Sequence, residues 1–133
     1  MFYDSQATTL DVSNFDTSNV TNMNQMFANM RAIPSLSLGH LNTSKVTNMY
    51  QMFWGDDDLA SLDLANFDTS LVTDMTGMFY GTLSLGSLNV TGWNLGAVVT
   101  SADIFTNNNP SLVVTCNQGG AAATGDFFTY GCN

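Results

Sequence analysis

The sequence predicts a repeat solenoid, a fold in which similar short segments stack on one another. The first observation is a Met-Phe pair that recurs at nearly constant intervals. Its copies are Met1-Phe2, Met26-Phe27, Met52-Phe53 and Met78-Phe79, with Ile104-Phe105 as an altered last copy. Successive copies are 25, 26, 26 and 26 residues apart. The second observation is the longer phrase that ends in this pair, which reads VTNMNQMF, VTNMYQMF and VTDMTGMF in successive repeats.

A period of this length lies within the 20–29 residues per turn that are typical of leucine-rich-repeat solenoids. We therefore expect a right-handed, leucine-rich-repeat-like solenoid with one short strand and one short helical turn in each coil of 25–26 residues. The strands of successive coils are expected to stack in parallel. Residues 1–105 are predicted to form about four coils, and residues 106–133 a partial last coil with a C-terminal cap.

The strand of each coil is predicted from two apolar residues that flank one polar residue, as in Leu62-Asp63-Leu64. Side chains alternate between the two faces of a strand, so both leucines point inward and Asp63 points outward. The corresponding apolar pairs are Leu10/Val12, Leu36/Leu38, Leu62/Leu64, Leu88/Val90 and Leu112/Val114.

A polar corner is predicted after each strand, at 16–18, 42–44 and 68–70, where the sequence reads Asp/Asn-Thr-Ser. Asp and Asn side chains bond to their own backbone two residues on and so favour tight bends. Stacking in register predicts hydrogen-bonded ladders of the threonines and of the serines. The fourth copy reads Asn94-Leu95-Gly96, which we interpret as loss of the corner near a cap.

The helical turn is predicted for Val72–Phe79 and its copies, because the apolar residues at 72, 75 and 78/79 are three or four positions apart. Eight residues are too few to be helical alone, so stacking on the next coil must hold the turn. The Met-Phe pairs are expected to be buried.

The phrases LDVSNFDTSNVTNMNQMF and LDLANFDTSLVTDMTGMF resemble the repeats of BspA-like leucine-rich-repeat surface proteins. They are most similar to the branch whose repeats read W/F-D-T-S-x-V-T-x-M-x-x-M-F. The resemblance covers about residues 1–105. It implies a cell-surface or secreted protein with a role in adhesion, and it supplies no catalytic or binding residues.

Composition limits the classes of partner. The chain of 133 residues has a net charge of -9, all 11 acidic residues are Asp, and its permanent cations are Arg31 and Lys45. Nucleic acid and anionic membranes are therefore unfavourable partners. We expect no cofactor. No stretch has the length of a membrane span, and Met1–Asp4 does not start a signal peptide.

Cys116 and Cys132 lie after the last clear repeat, in a Gly/Ala-rich segment. We predict a disulfide that closes the cap, with free thiols as the alternative. A disulfide requires an oxidising compartment, which favours an extracellular or cell-surface location.

Little in the sequence indicates catalysis, so we expect no enzyme. The single histidine, His40, replaces the asparagine of the other corners. Asp56-Asp57-Asp58 is a weak Ca²⁺ candidate, because this ion prefers oxygen ligands. A solvated charged loop is the alternative interpretation. The pattern for N-glycosylation occurs at Asn19, Asn42 and Asn89.

The outward side of the strands, here called the strand face, is the main binding candidate. Its residues are Thr9, Asp11, Ser13, Ser35, Ser37, Ser61, Asp63, Ser87, Asn89 and Thr91. Solenoids use such regular surfaces for extended contacts; an ordinary solvated face is the alternative. Tyr3, Trp54 and Tyr80 follow Met-Phe and define a second candidate, an aromatic strip, which could equally cover the edge of the core.

The predicted function is an extracellular or cell-surface module for binding or adhesion through protein–protein contacts. One alternative is a subunit that self-assembles into a filament through an uncapped N-terminal coil, since Met1 is already in register with Met26. A weaker alternative is recognition of ice or another ordered surface by the Ser/Thr array.

Overall fold

The computed structural model describes residues 1–116, and its regular elements are three short strands. These strands are β1 (Ser61–Asp63), β2 (Ser87–Asn89) and β3 (Val113–Thr115). They form one parallel sheet in the order β1-β2-β3, and Leu62 pairs with Leu88, which pairs with Val114. An isolated bridge from Ser35 to Ser61 extends this ladder by one repeat. The 26-residue offset of the register matches the predicted period.

The strands are short because an acid or amide side chain bends the chain where each one ends. The Oδ1 atom of Asp63 accepts a hydrogen bond of 3.0 Å from the Ala65 amide. Asn89 accepts in the same way from the Thr91 amide at 3.1 Å. Such bonds from residue i to the amide of i+2 compete with the sheet ladder. Three of the described repeats thus contribute a strand of only three residues, the repeat of Ser35 contributes a single bridge, and residues 9–13 of the first repeat form no strand. The prediction of a strand in each coil is therefore wrong for these two repeats.

The predicted helical turn is wrong, because no helix occurs among residues 1–116. Asp74 instead forms parallel bridges to both Asn48 and Thr100, which lie one repeat away on either side. The amide of Met75 donates to the Thr100 carbonyl at 2.9 Å rather than to its own segment. Backbone hydrogen bonds in this phrase therefore run mainly between repeats.

Backbone conformation explains why the helical spacing of apolar residues is not a helix. Gln25, Gln51, Gly77 and Asp103 have φ angles of 52°, 51°, 58° and 56°. A left-handed residue in the middle of each copy interrupts a right-handed helix. The resulting turn still places the apolar side chains on the inner side. A helical turn and this left-handed turn therefore have the same spacing of apolar residues in the sequence.

A column of stacked phenylalanine rings forms the centre of the core. The ring centroids of Phe27 and Phe53 are 5.7 Å apart, as are those of Phe53 and Phe79, with interplanar angles of 9° and 1°. Phe2 and Phe105 extend the column to either side. The expected burial of the Met-Phe pairs is confirmed for the copies at 26/27, 52/53 and 78/79, whereas Met1 is 77% exposed.

Threonines connect the corners of neighbouring repeats. The Thr69 hydroxyl donates to the Asn94 carbonyl at 2.9 Å and accepts from the Asn94 amide at 2.8 Å. Thr17 makes the same pair of bonds to Asn42, and the Thr43 hydroxyl donates to the Asp68 carbonyl. The three threonines are buried. Their ladder is confirmed, but it joins hydroxyl to backbone rather than hydroxyl to hydroxyl.

The serines of the corners do not form a ladder of their own. The Ser44 hydroxyl donates to Asn42 within the same corner, at 2.7 Å. The fourth corner, which the sequence suggested was lost, is present, because the Gly96 amide donates to Asn94 Oδ1 at 2.9 Å. Asn is sufficient for the bend, and Leu95 removes only the hydroxyl that links one corner to the next.

Candidate binding surfaces

The strand face is built as the sequence predicts. Of its ten candidate residues, nine are exposed and Asn89 is half-buried. Parallel pairing aligns Ser35 with Ser61 and Ser61 with Ser87, and it places Asp63 beside Asn89. Thr9, Asp11 and Ser13 are exposed and belong to the repeat before the Ser35 bridge. The inward residues between them are buried from Leu62 to Val90, whereas Leu10 and Leu36 are half-buried, so the two sides of the strands differ most in the later repeats.

A shallow groove of about 330 Å³ lies on this face between the second and third repeats. Ser35, Ser37, Gly39, Asp63 and Asn66 contribute to its lining. Leu36 and Leu38 also line it, so the groove offers hydroxyl, amide and carboxylate groups beside a smaller apolar area. Such a surface suits recognition of a polar partner over several repeats.

The acids of the strand face and of the corners are held by their own turns. Hydrogen bonds from the hydroxyl and amide of Ser13 lower the pKa of Asp11. Ser70 does the same for Asp68, whose pKa is also lowered. These carboxylates are therefore ionised well below neutral pH. The face carries fixed negative charge in a protein with a net charge of -9.

The predicted aromatic strip is interrupted. Trp54 and Tyr80 stack with ring centroids 6.5 Å apart and an interplanar angle of 26°. The equivalent residue in the preceding repeat is Ala28, which is buried, and Tyr3 lies beyond it. The structure thus brings together two of the three predicted residues. Tyr3 is 52% exposed and stands apart from the pair.

Trp54 and Tyr80 line a second groove of about 200 Å³, here called the aromatic groove. Its lining is completed by Asn29, Arg31, Gly55, Asp57, Gly81, Leu83 and Asn107. Sequence reasoning missed these residues. One sequence feature could have indicated this groove: Gly55 and Gly81 each follow the aromatic residue of their repeat.

The three consecutive aspartates do not form an ion site. Asp56 is 1% exposed, and its Oδ1 atom accepts a hydrogen bond of 2.8 Å from the Met30 amide. Asp57 is half-buried and Asp58 is exposed. Within the described part of the chain, no group of three His, Cys, Asp or Glu residues is placed to hold a metal. The Ca²⁺ candidate therefore has no geometric support.

The alternative interpretation, a solvated loop, is also wrong for Asp56. Burial raises the pKa of this carboxyl to about 8, against the lowering effect of the Met30 amide, and Asp57 raises it further. Asp56 Oδ2 has no hydrogen-bond partner among the described residues. The side chain is thus a neutral, buried carboxylic acid at neutral pH.

His40 lies on the exposed side of a corner, as predicted. Its Nε2 atom is 2.7 Å from the Val12 carbonyl oxygen, one repeat earlier. This contact links two repeats in the way that the threonines do. The absence of enzymatic activity stays a prediction.

The glycosylation candidates remain predictions, with Asn19 and Asn42 exposed and Asn89 half-buried. Asn19 accepts a hydrogen bond of 2.7 Å from Lys45 Nζ. Cys116 packs against the core at the end of β3, whereas Cys132 lies outside the described residues. The predicted disulfide and most of the predicted cap therefore stay predictions.

The fold and its surfaces define a class: a β-repeat protein with parallel strands 26 residues apart and regular polar faces. The chain matches the family model described as "Mycoplasma protein of unknown function, DUF285" over residues 1–113, and it belongs to this family. The family is linked to BspA-like repeat proteins. No curated protein and no solved structure matches the chain. Among residues 1–116, no helix is long and apolar enough to span a membrane.

Proposed function

We propose that the chain is a leucine-rich-repeat-like solenoid of the BspA-like type that acts as a non-enzymatic extracellular or cell-surface binding module. The strand face is its proposed contact surface for a protein partner. The observation that carries this proposal is the alignment of exposed polar residues at one position of successive repeats, such as Ser35, Ser61 and Ser87. Core packing does not require these side chains, because they point away from it.

The chemistry of the face indicates the kind of partner that fits. Asp11 and Asp63 bring negative charge to an array of serine and threonine hydroxyls. The strand-face candidates include no lysine or arginine. Complementary charge speeds association and selects among partners, so a surface rich in basic and amide groups is favoured. The proposed location rests on the predicted disulfide and on the resemblance to surface proteins.

Binding to immobilised, purified extracellular-matrix proteins tests this proposal by biolayer interferometry. The variant Ser37→Arg/Ser61→Arg inserts two large cations into the strand face, at exposed positions that face solvent. We expect it to weaken binding at least tenfold. The matched control is Ser44→Arg/Ser70→Arg, which adds the same charge at two exposed corners. Equal loss in both variants, or no binding by the parent chain, would contradict the assignment of the strand face.

Self-assembly into a filament is the second candidate, and one observation favours it. Phe15 of the first repeat is half-buried, whereas the equivalent Leu41 and Phe67 are 3% and 2% exposed. Sedimentation velocity over a range of concentrations tests this proposal, and Leu10→Lys is expected to abolish any association. A concentration-independent monomer contradicts it. Recognition of an ordered surface stays a weaker hypothesis, because Asp11 and Asp63 interrupt the hydroxyl array.

A further inference from the structure

We propose that the aromatic groove binds a neutral saccharide. This site is separate from the strand face, so the proposal does not depend on the function proposed above. It rests on two features of the groove: a stacked aromatic floor, and a rim that combines hydrogen-bond donors with an acceptor.

The floor consists of the Trp54 and Tyr80 rings, which are half-buried and lie 6.5 Å apart between centroids. Tyr80 covers one face of Trp54 at an interplanar angle of 26°, and the residue at this position in the preceding repeat is the small Ala28. The face of an aromatic ring carries negative charge density and attracts partly positive hydrogens. The C–H groups on one side of a pyranose ring are such hydrogens, because each carbon also bears an oxygen.

Two glycines follow these rings for a local reason. Gly55 and Gly81 have φ angles of 71° and 73°, in a column where neighbouring repeats place Asn29 and Asn107. A Cβ atom at Gly55 would meet Asn29 Oδ1 at 3.2 Å. Glycine relieves the left-handed conformation and also leaves out a side chain. The Asn29 side chain therefore lies against Gly55, where any larger residue would crowd it.

The rim supplies both donors and an acceptor. Arg31 Nε donates to Asn29 Oδ1 at 2.8 Å, which fixes the guanidinium beside the groove. The Tyr80 hydroxyl accepts from Asn107 Nδ2 at 2.7 Å, so its own hydrogen is left to donate. Asp57 lines the same groove and can accept.

This combination selects against charged ligands. Arg31 and Asp57 bring one charge of each sign to the lining, so that each opposes a ligand of its own sign. Sugar hydroxyls both donate and accept hydrogen bonds. They can therefore pair with the donors and with the acceptor of the rim, so that no polar group is buried without a partner at a cost in desolvation. The 57% exposed Leu83 lines the same groove and extends its apolar contact. A neutral saccharide satisfies the floor and the rim together.

The experiment uses the full chain and a glycan array of neutral and charged oligosaccharides, followed by calorimetry with cellotetraose, chitotetraose and maltotetraose. We expect at least one neutral probe to bind with a Kd below about 1 mM, a typical limit for a measurable shallow site. Trp54→Ala is expected to weaken that binding at least tenfold. The control Tyr3→Ala removes an exposed aromatic side chain at the same repeat position, and its affinity should be unchanged.

A second variant guards against loss of folding in Trp54→Ala. Arg31→Gln/Asp57→Asn removes both charges at the rim and should weaken binding several-fold at an unchanged melting temperature. The proposal is overturned if no neutral probe binds, or if binding is equal in the parent and in both groove variants. It is also overturned if tetragalacturonate or a chitosan tetramer binds more tightly than every neutral probe.

Discussion

Phe53 and Trp54 are neighbours in the chain, yet they belong to two different kinds of column. Phe53 stacks between Phe27 and Phe79 and is fully buried. Trp54 stacks on Tyr80 alone and is half-buried beside an open groove. The phenylalanine column continues through every described repeat, whereas the column of Trp54 contains Ala28 in the repeat before.

The difference between the two columns shows what can be inferred from a residue that repeats in the sequence. A position inside the stack contacts its own copies on both sides, so a change in one repeat disturbs two interfaces. A position at the surface lacks this restraint. Residues that repeat therefore reveal how the chain stacks, and residues that break the repeat, such as Trp54 and Asp56, reveal where one repeat differs in chemistry. The predictions below test this distinction.

The largest expected effect on stability is at Phe53, in the phenylalanine column. Phe53→Ala should destabilise the protein by about 3–5 kcal/mol, because it leaves a cavity between two stacked rings. Trp54→Ala should cost less than half as much, since the indole is already partly in solvent. Urea unfolding followed by far-UV circular dichroism measures both values. Similar costs for the two variants would remove the distinction between the columns.

Asp56 gives the next effect, which depends on pH. The pKa of its carboxyl is raised to about 8 in the folded protein and is near 3.8 in the unfolded chain. Between these values the folded state holds a proton that the unfolded state has released. The contribution of this proton to the free energy of unfolding is therefore fully present below about pH 4. It falls by up to about 1.4 kcal/mol per pH unit until about pH 8.

Asp56→Asn keeps an oxygen for the Met30 amide and removes the titration. The variant should be more stable than the parent at pH 8, and the difference should shrink toward pH 4. Melting temperatures across this range measure the effect. Asp58→Asn, at an exposed neighbouring position, is the control and should leave the pH dependence as it is. A parent chain whose stability is flat from pH 4 to 8 would contradict the buried neutral acid.

A smaller effect is expected at the threonine ladder. Thr69→Val keeps the shape of the side chain but leaves the carbonyl and amide of Asn94 without their partner. A typical hydrogen bond contributes about 0.5–1.5 kcal/mol, so the loss of both bonds should cost about 1–3 kcal/mol. Thr73→Val removes an exposed hydroxyl that donates to the Thr47 carbonyl and should cost much less. Equal costs would mean that water replaces the buried bonds.

Much of the fold was open to prediction because it follows from recurrence. The period, the parallel register and the burial of residues such as Met52 all derive from one alignment of the chain with itself. The helical turn was not predictable in the same way, since apolar residues three or four apart also fit a turn with a left-handed residue. Only Gly77 hints at that conformation, while Gln51 adopts it without any signal in the sequence.

The candidate surfaces also differ in how far they could be predicted from recurrence. The strand face was predictable because its residues alternate with buried ones. The aromatic groove was only half predictable, because Arg31 and Asn107 line it from repeats other than those of Trp54 and Tyr80, and nothing in the sequence indicates that they meet there. Asp56 was misread because three consecutive acids suggest solvent exposure, whereas stacking turns one of them inward.

The smallest expected effect belongs to the strand face. Asp63→Asn should change the free energy of unfolding by less than about 0.5 kcal/mol, the range of most surface substitutions. The reason is visible one repeat later, where Asn89 at the equivalent position accepts from the Thr91 amide as Asp63 does from Ala65. Asp63→Ala should cost about 1 kcal/mol, because it removes this hydrogen bond.

The pair of variants separates geometry from charge at one residue. If Asp63→Asn destabilises as much as Asp63→Ala in urea unfolding, then charge at this position supports the fold, and the strand face is not free to vary. If Asp63→Asn leaves stability as it is, any change that it causes in binding belongs to the surface alone. Variants of Phe53 allow no such separation, because the contacts of Phe53 with neighbouring repeats are the same contacts that stabilise the fold.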